Sequence, residues 1–197
     1  MSSLTSHALT AVGGALLAAA TVLLAACRAS PVTGRPFDPA APMFPAVSGE
    51  SLNNRRFSIP ADLDAPFNIL LVAFYQRQQA EVDTWIAAAR QIAADHANVE
   101  YYELPTIAST WGTMKWWVDG GMRSGIPEFG ARERTVTLYT DTAKFRSLAG
   151  IDDPTKIWTG LVDRQGKVYW SARGPATDEM LTQLRQVVRD VASPAAK

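Results

Sequence analysis

This 197-residue chain carries one thiol and two imidazoles for metal or redox chemistry: Cys27, His7 and His96. A lone cysteine forms no intrachain disulfide and supplies no resolving partner for thiol–disulfide exchange, so stability must come from packing. His96 ends a predicted helix and has no histidine partner after Cys27. It reads as a helix-end charge or an exposed side chain, and no metal or cofactor is expected. Met114 and Met122 are soft enough for copper(I), but they share one helical face and read as core packing. No nucleophile lies beside a base at a suggestive spacing. A thiol-independent catalytic set would have to be assembled from Tyr75, Arg77 and Glu81, which leaves an enzyme as the alternative to a binding protein.

The surroundings of Cys27 assign it a different chemistry. Ala8 to Ala26 carries no charge and is rich in Ala, Leu and Val, as in the apolar core of a secretory signal. The string Leu24-Ala25-Ala26-Cys27 resembles the bacterial lipobox, whose cysteine takes a diacylglyceryl group and becomes the new N-terminus. This reading makes Cys27 a lipid attachment site and the mature protein an envelope lipoprotein, facing the periplasm or the outside. A second reading stays open. No Lys or Arg precedes Ala8, and a 19-residue apolar run is long enough to remain as an uncleaved helix. Arg28 and Arg35 after it would then hold the rest of the chain in the cytoplasm.

From Cys27 onward about 170 residues remain, enough for one domain with a proper core. Its 19 Lys and Arg balance 19 Asp and Glu, which argues against a nucleic-acid binder or a polybasic membrane-surface module. Arg28 to Pro45, rich in Pro and Ala and without periodicity, reads as a flexible tether. The expected organisation is a signal peptide over 1–26, a lipidated tether over 27–43, a domain over 44–193 and a short disordered tail.

Hydrophobic periodicity supplies the elements. Phe44 to Leu52 and Arg56 to Pro60 form a hairpin turning at Asn53-Asn54. Asn68 to Tyr75 is a short, nearly all-apolar run, as expected of a central strand covered on both faces. Val82, Trp85, Ile86, Ala89, Ile92 and Ala93 make a helical stripe. Val99 to Leu104 is a strand, and Trp111 to Gly121 a helix that breaks at the paired glycines and at Ile126-Pro127. Thr135 to Tyr139 is a strand, and Ala143 to Ala149 a helix stopped by Gly150 in the left-handed region. Ile157 to Val162 and Lys167 to Ser171 pair across a turn that uses Gly166. A last helix opens at Thr177 and buries Leu181, Leu184, Val187, Val188 and Val191. Alternating strands and helices imply a mixed, partly parallel sheet with helices on both faces.

This order resembles the thioredoxin-like fold. The N-terminal hairpin matches, as do Gly150-Ile151-Asp152-Asp153-Pro154-Thr155 before a strand and Val162-Asp163-Arg164-Gln165-Gly166-Lys167-Val168 after it. The resemblance implies a three-layer α/β/α domain with an N-terminal hairpin and a helical insertion. Redox members place Cys-x-x-Cys, or Thr-x-x-Cys, where the first central strand enters its helix, because a helix N-terminus lowers a thiol pKa there. Here that stretch is Tyr75-Gln76-Arg77-Gln78-Gln79-Ala80-Glu81. An envelope enzyme or small-ligand binder using this cleft without a thiol stays open as the alternative. The resemblance also implies a cis peptide bond before Pro154, whereas the base rate favours trans.

A closer resemblance is to the mitochondrial ATP-synthase assembly factors and their bacterial relatives, thioredoxin-like proteins without the redox motif. It rests on Ala73 to Gln79 with Val82-Asp83-Thr84-Trp85, on Tyr102 to Pro105, on Trp111-Gly112, on Gly121 to Pro127 and on Arg134 to Thr137 with Tyr139-Thr140-Asp141 and Phe145-Arg146. It implies help in assembling a membrane complex by binding a protein subunit. Two candidate contacts follow. Trp116 stands about 140° around the helix from the core residue Trp111, at about 100° per residue. There it is an aromatic anchor with Arg123 beside it. Arg77 and the neighbouring Gln76 stand where redox relatives keep their thiols, and Arg77 is placed to bind a carboxylate or a chain terminus.

Overall fold

The computed structural model describes residues 35–36, 42–110 and 115–192. The apolar N-terminus with both of its readings, Cys27, Trp111, Met114 and the C-terminal tail lie outside those residues. Among the described residues no helix is long and apolar enough to cross a membrane.

The strand that organises the domain is β4 (Phe67–Ala73), whose residues Asn68 to Val72 are all buried. Alternation sends Ile69 and Leu71 to one core and Leu70 and Val72 to the other, so both faces of the strand must be covered. The first core is closed by helices α1 (Gln79–Asp95) and α5 (Asp178–Ala192), through Val82, Trp85, Ala89 and Ile92 on one and Met180, Leu184 and Val188 on the other. The second lies under α4 (Thr142–Ala149) and the hairpin β2 (Val47–Ser51) and β3 (Arg56–Ile59). Each fully buried side chain of this kind contributes about 1.5–3 kcal/mol. Beside β4 run β5 (Val99–Ala108) in parallel and β7 (Trp158–Asp163) antiparallel. With β1 (Arg35–Pro36), β6 (Val136–Thr140) and β8 (Val168–Arg173), the order is β1-β8-β7-β4-β5-β6-β2-β3 among the described residues. The result is a three-layer α/β/α arrangement on a mixed sheet.

Local chemistry sets the boundaries. Asn54, at φ 67°, turns the first hairpin, and Asp141 caps α4 by accepting from the Ala143 and Lys144 amides at 3.1 Å. Gly150, at φ 64°, ends α4 as expected. The Thr177 hydroxyl accepts from the Met180 amide at 3.3 Å at the head of α5.

The observed elements depart from the sequence reading in four places. Strand β5 continues four residues past Leu104, through Pro105. That proline falls at the last pair of the β4–β5 ladder, where its missing donor matters least. Helix α2 (Lys115–Gly125) runs through Gly120 and Gly121. Glycine weakens a helix by about 1 kcal/mol without ending it, and the stop comes from Pro127 acting on Ile126. A short helix α3 (Phe129–Arg134) follows, with too few residues to show a period. The segment read as a free tether takes part in the sheet: Arg35 and Pro36 pair with Ser171 and Trp170, covering what would be an open edge on β8.

The α2–α3 insertion is fastened by charge-assisted bonds. Arg90 pairs with Glu128 at 3.0 Å and Glu100 with Arg134 at 2.9 Å. Arg132 Nε donates to Asn53 Oδ1 at 3.1 Å. The Glu133 carboxylate accepts from Asn53 Nδ2 at 3.1 Å and from the buried Ser51 hydroxyl at 3.4 Å.

Candidate functional site

The loop leaving β4 decides what the site can do. Tyr75 is extended, at φ −137° and ψ 142°, and Gln76–Gln78 make one 3₁₀ turn into α1. Gln78 points inward and is 1 % exposed. Its Oε1 accepts from the amides of Phe74 at 2.7 Å and Tyr75 at 3.0 Å, and its Nε2 donates to the Pro154 carbonyl at 2.9 Å. One neutral side chain thus joins the end of the central strand, the first turn of the helix and the loop before β7.

The seam continues along α1 at helical spacing. Glu81 Oε2 accepts from the Ile157 amide at 3.2 Å, Thr84 Oγ1 from the Ala176 amide at 2.8 Å, and Trp85 Nε1 donates to the Gly174 carbonyl at 3.0 Å. Four residues on one helical face therefore satisfy backbone groups of three loops, after β4, before β7 and after β8. One oxygen of Glu81 is thus engaged in this seam, while Arg77 and Tyr75 pair with each other.

The outer face of the turn is different. Arg77 lies over the Tyr75 ring, 4.1 Å from its centroid, and Tyr75 is 43 % exposed. Gln76 is exposed beside them. Across the seam, Asp153 accepts from the amide and the hydroxyl of Thr155, at 2.8 and 2.5 Å, and these bonds hold its carboxyl below the usual range. That Asx turn shapes the Pro154 loop. The Asp153–Pro154 bond is not cis; among the described residues the cis bond is Ile59–Pro60. Pro154 stands four residues before β7 rather than against it, and meets the site through its carbonyl.

Arg123 does not join Arg77. Its Nε donates to the Leu52 carbonyl at 2.6 Å and its Nη2 to Asn54 Oδ1 at 3.1 Å. This clamps α2 to the β2–β3 turn, three strands from β4 in the sheet order, or about 14 Å at ordinary spacing. The backbone of Trp116 belongs to α2, and its side chain lies outside what the structure describes. Sequence reasoning missed Gln78, although its place three residues after the N-cap is where a Gln reaches back to a cap amide.

Two carboxylates lie near the first turns of α1. Burial pushes the Glu103 carboxyl up, a hydrogen bond with Gln79 opposes the shift, and the Asp83 charge adds to it. Gln79 also donates to Asp83 at 2.9 Å. Among the described residues no three His, Cys, Asp or Glu side chains gather as metal ligands would. With one cysteine in the chain, no dithiol can form at this turn.

No protein-family model matches the chain, and no curated protein does. Solved structures do. A DsbF homologue from Corynebacterium diphtheriae aligns with a TM-score of 0.53 at 13 % identity, over 83 % of this chain and 96 % of its own. BsSco, a member of the Sco family of cytochrome c oxidase assembly proteins, aligns at 0.52 and 12 % identity, over 77 % of this chain and 96 % of its own. Yeast Sco1 with copper bound aligns at 0.50 and 14 % identity, over 80 % of this chain and 96 % of its own. At these identities the likeness concerns architecture: the chain has a thioredoxin-like fold, and the turn that opens α1 carries glutamine and arginine but no cysteine.

Proposed function

We propose that this protein is a redox-inactive thioredoxin-like domain, anchored in the cell envelope by lipid on Cys27, that binds another protein through the Tyr75–Arg77 face. The role is that of an assembly or chaperone-like factor for a membrane complex, as the resemblance to ATP-synthase assembly factors implies. The observation that carries the reading is Gln78. A reactive thiolate needs partial exposure and a positive environment, whereas this position holds a buried amide with three hydrogen bonds. What the turn presents to solvent is an aromatic ring under a guanidinium, the pair of groups over-represented among residues that dominate protein interfaces. BsSco belongs to a family that assembles cytochrome c oxidase, so work on membrane complexes is one use of this fold.

Two measurements test the reading. The intact mass of protein extracted from membranes should correspond to a chain beginning at acylated Cys27; an unmodified N-terminus removes the anchor. A photo-crosslinker replacing Gln76 should capture a subunit of a membrane complex in cells, and Tyr75→Ala should abolish that adduct. An adduct indifferent to Tyr75→Ala rejects the binding face.

A further inference from the structure

We propose that the pairing of β1 with β8 turns the Tyr75–Arg77 face toward the membrane, where it meets an acidic extramembrane segment of an integral membrane protein. This rests on the reading above, in which the anchor sits at Cys27 and this face binds protein.

Strand direction carries the inference. Arg35 and Pro36 pair antiparallel with Ser171 and Trp170, so the chain arriving at Arg35 comes from the Arg173 end of β8. Arg173 stands opposite Trp158, and Trp158 opposite Val72. That end of the sheet is the one where β4 gives way to Tyr75 and Arg77. The sheet order puts β1 three strands from β4, about 14 Å across at ordinary spacing. Anchor and exposed aromatic–guanidinium pair thus belong to one end of the domain, and the Asp163–Gly166 turn to the other.

Length sets the gap. Cys27 and Arg35 are eight positions apart, a reach of at most about 26–29 Å. Rising from the level of Ser171 to that of Arg173 takes two of those steps, about 7 Å. At most about 20 Å then remains between the strand ends and the anchor. A loop or a chain terminus fits that space. A second folded domain of about 150 residues has a radius of gyration of about 15 Å and is nearly twice as wide as the gap. Bringing the Asp163–Gly166 turn to the membrane instead would use up the same reach in running back alongside β8.

Charge selects the partner. Arg77 is exposed and stacks on the Tyr75 ring, 4.1 Å from its centroid. Among the described residues no carboxylate pairs with it. A guanidinium held by its face keeps its five donors at the rim, where a carboxylate can take two of them at once. An extramembrane Asp or Glu next to a membrane span lies at the height this fork reaches.

The test uses the chain as extracted from membranes and returned to vesicles, with a fluorophore on azidophenylalanine at position 76 or 165 and an acceptor on the lipid headgroups. Gln165 is exposed in the turn at the opposite end. The six residues of β7 separate the two ends by about 17 Å, and energy transfer should place position 76 at least about 10 Å nearer the headgroups. Inserting twenty Gly and Ser residues after Ser30 should bring the two heights together, because the reach then grows about three-fold. In cells, the crosslinker at Gln76 should join an Asp- or Glu-bearing peptide within about ten residues of a membrane span, and Arg77→Glu should cut that adduct at least about five-fold. Equal heights on the native tether overturn the proposal. A difference that survives the longer tether also overturns it, since the lipid itself is then the ligand. An adduct that needs Tyr75 but maps to a soluble domain overturns the orientation and leaves the binding face standing; loss of the anchor shows separately in the intact mass.

Discussion

Replacing Gln78 by Leu isolates what the buried amide does, because the new side chain keeps most of the volume and removes every polar atom. The Phe74 and Tyr75 amides and the Pro154 carbonyl then lose their partners. A net loss of about 1 kcal/mol per hydrogen bond gives about 3 kcal/mol. The penalty for a group left fully buried is larger, at about 1–3 kcal/mol each, but the flanking residues are only partly buried, and water relieves part of it. For a domain of this size, about 3 kcal/mol corresponds to a fall in Tm of about 6–12 °C. Urea unfolding gives the free energy, and hydrogen exchange gives the location: protection should drop further at the Phe74 and Tyr75 amides than in β5 and β6, where the fall is at most the global loss. A loss below about 1 kcal/mol, or exchange that rises uniformly, would refute the idea that Gln78 holds this junction closed.

Gly160→Ala drives a methyl into the Trp158 ring, which lies over the glycine two residues along β7. Because Trp158 also packs against Phe44 with ring centroids 5.7 Å apart, urea unfolding should show a loss of about 1–3 kcal/mol or more, and an unchanged midpoint would contradict this packing. Glu103→Gln should stabilise the protein at pH 7 and lose that effect below the ordinary carboxylate range. The folded carboxyl holds its proton above the 4.5 reference value, so native Glu103 costs nothing at lower pH and costs progressively more as pH rises through its folded pKa; urea midpoints of the two proteins at pH 3 and pH 7 report the difference. Arg123→Ala should cost about 1–2 kcal/mol through its lost bonds to Leu52 and Asn54 and leave crosslinking from Gln76 intact. Loss of the adduct with the fold preserved would return Arg123 to the binding surface.

Strands and helices that bury a periodic apolar face were legible in the sequence: β4, the α1 stripe, the Asp163–Gly166 turn and the Gly150 stop all depend on neighbours a few residues away. What escaped depends on distant partners. Gln78 has meaning only beside Pro154, 76 positions on. That Arg123 also holds the Leu52 carbonyl, 71 residues earlier, is likewise unreadable from its neighbours. Helix α3 is too short for a period, and β1 pairs with β8 across most of the chain.

The chemistry of the α1 turn and its mechanical role are the same fact seen twice. A thiol at this position would have to face solvent and a positive field to react, and it could offer three backbone groups only a weak donor and a weak acceptor. An amide that satisfies all three must be buried and neutral. The two requirements exclude each other at one residue, so a Gln78→Cys change would not restore a redox site: it would unpair Phe74, Tyr75 and Pro154 while supplying a single thiol with no second one to resolve it. Glu81, Thr84 and Trp85 extend the seam, since each ties a backbone group of a neighbouring loop to α1. With that seam closed, the turn's remaining freedom is on its outer side, where Tyr75 and Arg77 are already stacked on one another. Side chains ordered before contact lose less entropy on binding, so on the proposed reading the stacked Tyr75–Arg77 pair would lose less on meeting a partner than two free side chains would.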